Sequence, residues 1–300
     1  MKRSLKLALV CVILTGTITA FVLYAKGHPE VIHKIRDITP GMMALLMLCF
    51  TLWFASLVFI LHVTLRMFDK SLSRQENILL NAYSSLVNFF GPAQSGPAFR
   101  GLYLKKRHGL SFKHYIFGTL LYYAFYAILS AFLLFVGSRP WWQTALLMIA
   151  AGLCSILVLK WYTKRSKLSD QPGINLRNLS WLLVGTAVQM VAQIGMFYIE
   201  VHSVDPGASF SQILTYTGAS NFALFASITP GAIGIREAFL VFSQNLHHIS
   251  NTVIVAANII DRAAYLIFLG VLSILVLTLH AKDKLHVASV RQEDTVHESH

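Results

Sequence analysis

The segment from Pro230 to Glu237 carries the residues best suited to bind a charged ligand. It reads Pro-Gly-Ala-Ile-Gly-Ile-Arg-Glu and lies between apolar runs. Proline and glycine interrupt a helix, and a helix that starts after such a break has free N–H groups at its amino end. These groups and Arg236 could receive an anionic head group, while Gly231 and Gly234 would let the backbone approach it. The alternative is a capped turn in which the glycines supply only flexibility.

A second polar group lies inside the last apolar run. Asp261 and Arg262 are deep in this run, where a charge costs about 2.5–3.5 kcal/mol on insertion scales. Asn258, Arg262 and Tyr265 are four and three residues apart and therefore share one helix face. We expect this face to line a hydrated cavity, in which Glu237 and Asp261 hold the arginines or exchange protons. Alternatively, Arg262 pairs with one of these acids only to hold the helices together.

A weaker copy of the Pro230 segment lies 138 residues earlier in the chain. Pro92 corresponds to Pro230 and Gly96 corresponds to Gly234, and a span with aromatic residues follows each break. Paired helix breaks in two halves are typical of transporters whose substrate binds between the halves. Arg100 follows the first break, where it either binds a lipid phosphate or only begins a basic loop.

Three further polar residues share one face of an apolar run in the second half of the chain. These residues are Gln189, Gln193 and Glu200. The two glutamines either line the transport pathway or form hydrogen bonds between helices, and the second role is the more common one for such residues.

The composition is that of a membrane protein. Of the 300 residues, 55% are hydrophobic and 13% are charged, which excludes a soluble globular protein and a disordered one. The formal net charge is +12, but the basic residues lie in short loops beside apolar runs, as in cytoplasmic membrane loops. We therefore expect membrane lipids as partners and no binding to nucleic acid.

The apolar runs predict an all-α fold, because about 20 residues of helix cross the hydrocarbon core. The segments before the two breaks differ from these full spans. Only about 14 residues before Gly91 can be helical, which is short for a span and favours re-entrant hairpins over residues 77–99 and 209–236. The predicted full spans are residues 5–25, 41–64, 115–136, 141–161, 178–198 and 252–279.

The basic residues are compatible with two topologies. Six full spans plus two re-entrant hairpins keep both chain ends and the main basic loops inside the cell. The hairpins then enter from opposite sides, so the halves, about 41–140 and 179–280, form an inverted repeat. Eight full spans also keep the basic loops inside but give a parallel repeat. In both cases residues 1–280 form one transmembrane domain, and residues 281–300 form a disordered cytoplasmic tail.

Sequence signatures of catalysis and metal binding are missing. The chain has no nucleophile elbow, zinc-protease motif, P-loop or dinucleotide fingerprint. His247 and His248 are adjacent and cannot face a metal from one side of a helix. Cys11, Cys49 and Cys154 lie in apolar runs without paired spacing. We expect no catalytic residue, cofactor or metal, and we interpret the chain as a transporter rather than an enzyme.

Both broken segments resemble elements of the lysylphosphatidylglycerol synthetase transmembrane-region family, which comprises flippase-like bacterial and archaeal membrane proteins. Residues 230–237, with Arg262 and Gly270, are similar to its second element, and residues 92–111 are similar to its first. The resemblance extends over about residues 5–279. It implies a lipid-translocating domain in which Glu237 and Arg262 are the acidic and basic positions and Arg100 is the first-element arginine.

The chain departs from the family pattern at three places. Pro97 stands where relatives often have an acid, and Ala232 replaces a common glycine. Tyr122 and Tyr123 replace a charged pair in the first half. These differences weigh against a symmetric charge mechanism. We do not expect the soluble aminoacyl-transfer domain of some relatives, nor synthesis of aminoacylated lipid by this chain alone.

The sequence thus predicts a flippase-like protein of a bacterial or archaeal cytoplasmic membrane that moves an anionic lipid or lipid-linked substrate between leaflets. Two other functions stay open: a membrane enzyme that uses Glu237 as a general base on a lipid-linked substrate, and an accessory subunit of a lipid or glycan synthase. A second copy of the chain, or such a synthase, is the expected protein partner. The predicted binding residues are Arg100, Gly231, Gly234, Arg236, Glu237, Asn258, Asp261, Arg262 and Tyr265.

Overall fold

The structure, a computed structural model, is all-helical over the residues that it describes, and these contain no strand. The first predicted span, residues 5–25, and most of the fourth, residues 141–161, lie outside this set. The described residues are 39–91, 95–136, 140, 142–144, 146, 149–150, 175–225 and 235–297.

Four helices are long and apolar enough to cross a membrane: α1 (Pro40–Arg66), α4 (Phe112–Val136), α5 (Leu176–Val204) and α9 (Asn251–His297), whose apolar part ends at Leu279. They confirm four of the six predicted full spans as membrane-spanning candidates. Thr39 begins α1 by accepting a hydrogen bond from the N–H of Met42, which satisfies a donor that has no partner within the helix.

The backbone of α9 continues as a helix to His297, where the sequence analysis expects a disordered tail from residue 281. Residues 271–297 contain neither proline nor glycine, so nothing in the sequence interrupts the helix before His297.

Two shorter helices, α2 (Arg74–Phe90) and α3 (Ser95–His108), follow α1 and pack against each other in antiparallel fashion. A Cβ atom at Gly96 would lie 2.5 Å from the carbonyl oxygen of Ser84, so only glycine permits this approach of the two backbones. Hydrogen bonds link the pair along its whole length: Ser95 to Val87, Arg100 to Asn81, and Tyr103 and His108 to Glu76.

A second antiparallel pair is formed by α6 (Phe210–Phe225) and α7 (Ile235–Phe242), which is followed by the short helix α8 (Gln244–His247). The amide of Gln212 at the start of α6 donates to the carbonyl oxygen of His248, just after α8. Both predicted breaks therefore separate two helices that fold back on each other.

Packing divides the buried apolar residues into two clusters. One cluster contains residues of α6, α7 and α9, and the other contains residues of α3 and much of α4. Helices α1 and α5 contribute to both clusters. Large apolar side chains such as Leu48, Val191 and Ile274 point outward and are more than half exposed, as expected for surfaces that face lipid.

We predict that Gly218→Ala destabilises the protein, because this glycine of α6 lies directly against the backbone of α4. A Cβ atom there would lie 2.7 Å from the carbonyl oxygen of Ser130 and would also strike the backbone of Leu134. Overpacking of this kind costs about 1–3 kcal/mol, which would lower the thermal unfolding midpoint in detergent.

Gly270→Ala is the matched control, because a Cβ atom at Gly270 meets no atom within 4 Å. Alanine also favours helix over glycine, so this variant should unfold at the wild-type temperature or slightly above it. Equal losses in the two variants would contradict the packing argument.

Candidate functional site

A cavity of about 240 Å³ lies between the two helix pairs and the long helices. Residues from α1 to α7 and from α9 line it, so the site depends on the whole bundle. Five of the nine predicted binding residues line this one cavity: Arg100, Arg236, Asp261, Arg262 and Tyr265.

The strongest polar contact at the cavity joins Arg236 to Asp261. Nη1 of Arg236 lies 2.6 Å from Oδ2 of Asp261, and these residues are 6% and 8% exposed. The guanidinium carbon of Arg236 also lies 4.9 Å from the centre of the Phe197 ring, on its face, where the π electrons attract a cation. Nε and Nη2 of Arg236 donate to no acceptor in the described part of the chain.

A looser contact joins the next residues of the same two helices. Nη2 of Arg262 lies 3.8 Å from Oε1 of Glu237, and both side chains are more exposed than those of the Arg236 pair. The sequence left open whether Arg262 pairs with Glu237 or with Asp261, and the structure pairs it with Glu237. Nε and Nη2 of Arg262 lack a hydrogen-bond acceptor among the residues described.

Arg100 brings a third guanidinium group to the cavity from the other helix pair. Its Nη1 donates to Oδ1 of Asn81 at 2.9 Å, while its buried Nε has no acceptor among the described residues. A buried donor without a partner costs about 1–3 kcal/mol or more when it is charged. Three arginines with such donors around one cavity are therefore suited to hold an anion that has several oxygen acceptors.

Neutral hydrogen bonds form another part of the wall. The hydroxyl of Tyr122 donates to Gln189 at 2.9 Å, and the amide of Gln193 donates to the hydroxyl of Tyr126 at 2.9 Å. The equal spacing of four residues in the tyrosine pair and the glutamine pair was the only sequence signal for this contact between α4 and α5.

The other predicted binding residues do not line the cavity or lie outside the described residues. The amide of Asn258 donates to the hydroxyl of Tyr216 at 3.2 Å and is 3% exposed, so it supports the packing of α6 against α9. Glu237 is absent from the lining of the cavity, and its carboxylate lies 3.8 Å from Arg262, which lines it. Gly231 and Gly234 fall in residues 226–234, which lie outside the described residues.

Glu76 joins α2 to α3 at the end of the pair that lies beside the basic residues 105–107. Burial opposes its ionisation, but hydrogen bonds from Tyr103 and His108 outweigh this effect and hold the pKa of Glu76 below its ordinary value. Because folding lowers the pKa of Glu76, ionised Glu76 stabilises the folded protein at neutral pH. This stabilisation is lost as the pH falls through the lowered pKa.

These features define a multi-pass helical membrane protein with an arginine-lined cavity. The chain belongs to the lysylphosphatidylglycerol synthase transmembrane-region family, whose sequence model matches residues 4–273. The family predicted from the two broken segments is thereby confirmed. A comparison with curated proteins found no match. No group of three or more histidine, cysteine, aspartate or glutamate residues that could hold a metal ion occurs in the part of the chain that the structure describes.

We predict that Asp261→Asn lowers stability much more than Glu237→Gln does. Both changes remove one carboxylate, but the first leaves the nearly buried Arg236 without its counter-charge. Breaking a buried pair in this way costs about 3–5 kcal/mol. The Arg262–Glu237 pair is longer, at 3.8 Å, and more exposed, so the loss of Glu237 should cost less. The thermal unfolding midpoints of the two purified variants measure the difference.

The double variant Arg236→Met/Asp261→Leu serves as the control for lost charge, because it removes both members of the pair and leaves no buried ion. It should recover most of the stability that Asp261→Asn loses. The pairing would be wrong if the two single variants unfolded at the same temperature.

Proposed function

We propose that this protein moves a lipid with an anionic head group between the two leaflets of the membrane. The observation that carries the proposal is the set of guanidinium N–H donors of Arg100, Arg236 and Arg262 around one cavity that have no acceptor among the residues that the structure describes. The family's membrane region agrees with a role in lipid metabolism or transport.

A lipid phosphate fits this donor set by its chemistry. The planar guanidinium group binds phosphate oxygens through two parallel hydrogen bonds. Inside a membrane these bonds replace the water that the head group loses, which is the main cost of carrying a charge through hydrocarbon. Tyr122, Gln189 and other neutral polar residues of the wall offer further partners to the rest of the head group.

We further propose that the two helix pairs are re-entrant hairpins within six full spans, arranged as an inverted repeat in the cytoplasmic membrane. The antiparallel packing in each pair supports this proposal. So does length, because α2 has 17 residues and α3 has 14, which correspond to about 26 Å and 21 Å of helix, less than the ~30 Å hydrocarbon core.

This topology predicts that both ends of one helix pair are accessible from the same side of the membrane. Single cysteines at the exposed positions Ser71 and Lys106, in a chain without its native cysteines, should react with an impermeant maleimide only from the cytoplasmic side. Ser209 and Asn245, which flank the second pair, should react only from the opposite side. Labelling of Ser71→Cys and Lys106→Cys from different sides would show that α2 and α3 span the membrane.

The transport proposal is tested by reconstitution into liposomes that contain fluorescent phosphatidylglycerol, with chemical quenching of the outer leaflet. We expect the wild-type protein to accelerate movement between leaflets. Arg262→Ala should slow it about tenfold or more, which corresponds to at least about 1.4 kcal/mol of lost interaction. Arg177→Ala, which changes an exposed arginine, should keep the wild-type rate.

Two results would overturn the proposal. One is lipid movement at the rate of protein-free liposomes, and the other is full activity in Arg262→Ala. A mass change of an added lipid-linked substrate, lost in Glu237→Gln, would instead identify a membrane enzyme. Tolerance of both variants together with co-purification of a soluble transferase would identify an accessory subunit.

A further inference from the structure

Asn221 is a buried polar residue of the cavity whose amide oxygen has no partner among the described residues. It lies on α6, lines the cavity and is 0% exposed. Its amide nitrogen donates to the sulfur of Met190 on α5 at 3.2 Å, but its Oδ1 accepts no hydrogen bond from any donor that the structure describes. Because a buried acceptor without a partner is costly, this oxygen is suited to accept a hydrogen bond from a ligand.

Two contacts join Asn221 to the tyrosines and glutamines of the wall. Met190, which accepts from its amide, follows Gln189 directly in α5. Phe225 lies one turn after Asn221 on α6, and its ring centre is 5.8 Å from that of Tyr126. Asn221 therefore belongs to the uncharged part of the cavity lining. This part, termed the neutral wall, comprises Tyr122, Tyr126, Gln189, Gln193 and Asn221.

The neutral wall adjoins the arginines along α5. Gln189, Gln193 and Phe197 are spaced four residues apart, so they share one face of this helix, and all three line the cavity. The guanidinium carbon of Arg236 lies 4.9 Å from the centre of the Phe197 ring. Four residues of helix are about 6 Å long, so the arginines begin about one turn beyond Gln193. A phosphate held by the arginines would place its next few atoms beside the neutral wall.

The charges of the lining favour an anion over a cation. Asp261 is the one carboxyl residue among the lining residues that the structure describes, and Arg236 already holds it at 2.6 Å. The three arginines leave one positive charge in excess even when Glu237, beside Arg262, is counted with Asp261. An ammonium group would therefore enter a positive cavity, and burial of a charge without a counter-charge is costly. Aromatic faces attract cations, but they do not remove this repulsion.

A hydroxyl group fits the neutral wall better than an ammonium group does. A hydroxyl group both donates and accepts hydrogen bonds, whereas an ammonium group only donates them. A ligand hydroxyl can donate to Oδ1 of Asn221 and accept from a tyrosine hydroxyl or a glutamine amide of the same wall. All of these partners are neutral, so such contacts bury no additional charge.

We propose that the neutral wall binds an uncharged, hydroxyl-bearing group attached to the lipid phosphate, and that Asn221 determines this specificity. The inference rests on the proposed function, since the arginines must hold the phosphate. The cavity then accepts a glycerol or sugar group and excludes a head group that carries an amine. Two sources have this shared chemistry: a glycerophospholipid with a polyol head group, and an isoprenoid phosphate that carries a sugar.

The test compares the binding of short-chain lipids to the purified full-length protein by titration calorimetry. Phosphatidylglycerol has hydroxyl groups on its head group, phosphatidylmethanol has the same phosphodiester charge without them, and phosphatidylethanolamine has an amine. Phosphatidylglycerol should bind about tenfold or more tightly than either of the other lipids. A mannosyl phosphate of a short isoprenoid alcohol represents the second source. It should also bind more tightly than phosphatidylmethanol, and the tighter of the two hydroxyl-bearing ligands identifies the source.

Asn221→Leu removes the unpartnered acceptor at similar side-chain volume. It should lower the affinity for phosphatidylglycerol about tenfold and leave that for phosphatidylmethanol unchanged. Asn245→Leu, which changes an exposed asparagine, should keep both affinities.

Asn221→Asp has nearly the same shape as the wild type and adds a carboxylate that can receive an amine. It should raise the affinity for phosphatidylethanolamine about tenfold and lower that for phosphatidylglycerol. Because a gain of binding cannot result from misfolding, this variant decides the test if Asn221→Leu does not fold.

The outcomes separate the two proposals. Equal affinities of the wild-type protein for phosphatidylglycerol and phosphatidylmethanol, or tighter binding of phosphatidylethanolamine, would overturn the hydroxyl-binding site and leave the anion site intact. So would unchanged lipid preferences in both Asn221 variants. Failure of the wild-type protein to bind any of these lipids would overturn the proposed function as well.

Discussion

The arrangement of the cavity depends on the ion pair between Arg236 and Asp261. A guanidinium group and a carboxylate that are both nearly buried must stay together, because either one alone would be costly in a membrane interior. Their contact fixes the start of α7 against the first third of α9. It thereby sets the position of the next two residues, Glu237 and Arg262, and leaves two donors of Arg236 without an acceptor among the described residues.

The polar contacts between helices differ in chemistry between the two halves of the chain. In the second half, α7 and α9 meet through paired charges. In the first half, Arg100 joins α3 to the amide of Asn81 on α2 beside the cavity. Tyrosines of α4 bond to glutamines of α5, which belongs to the second half. A repeat of the two halves would therefore concern the order of their helices more than the chemistry of the site. Two of the three arginines at the cavity, Arg236 and Arg262, belong to the second half of the chain.

The sequence was sufficient for the long helices, the two breaks and the family, because hydropathy, proline and glycine act locally. It also predicted Arg100, Arg236 and Arg262 as binding residues, and the structure places all three at one cavity. The sequence could not show that Arg236 pairs with Asp261, because the partner of Arg236 depends on the rotation of α7 about its axis relative to α9. The bond between Tyr122 and Gln189 joins residues 67 positions apart and had no local signal beyond matched spacing.

The division of the buried apolar residues into two clusters has a mechanical consequence. The cavity lies along the seam between them, since Phe50 belongs to one cluster and Tyr122 to the other, and both line it. A change in the width of the cavity would move the two clusters relative to each other and need not disrupt the packing within either one. Helices α1 and α5 contribute residues to both clusters and therefore connect the two sides of this boundary.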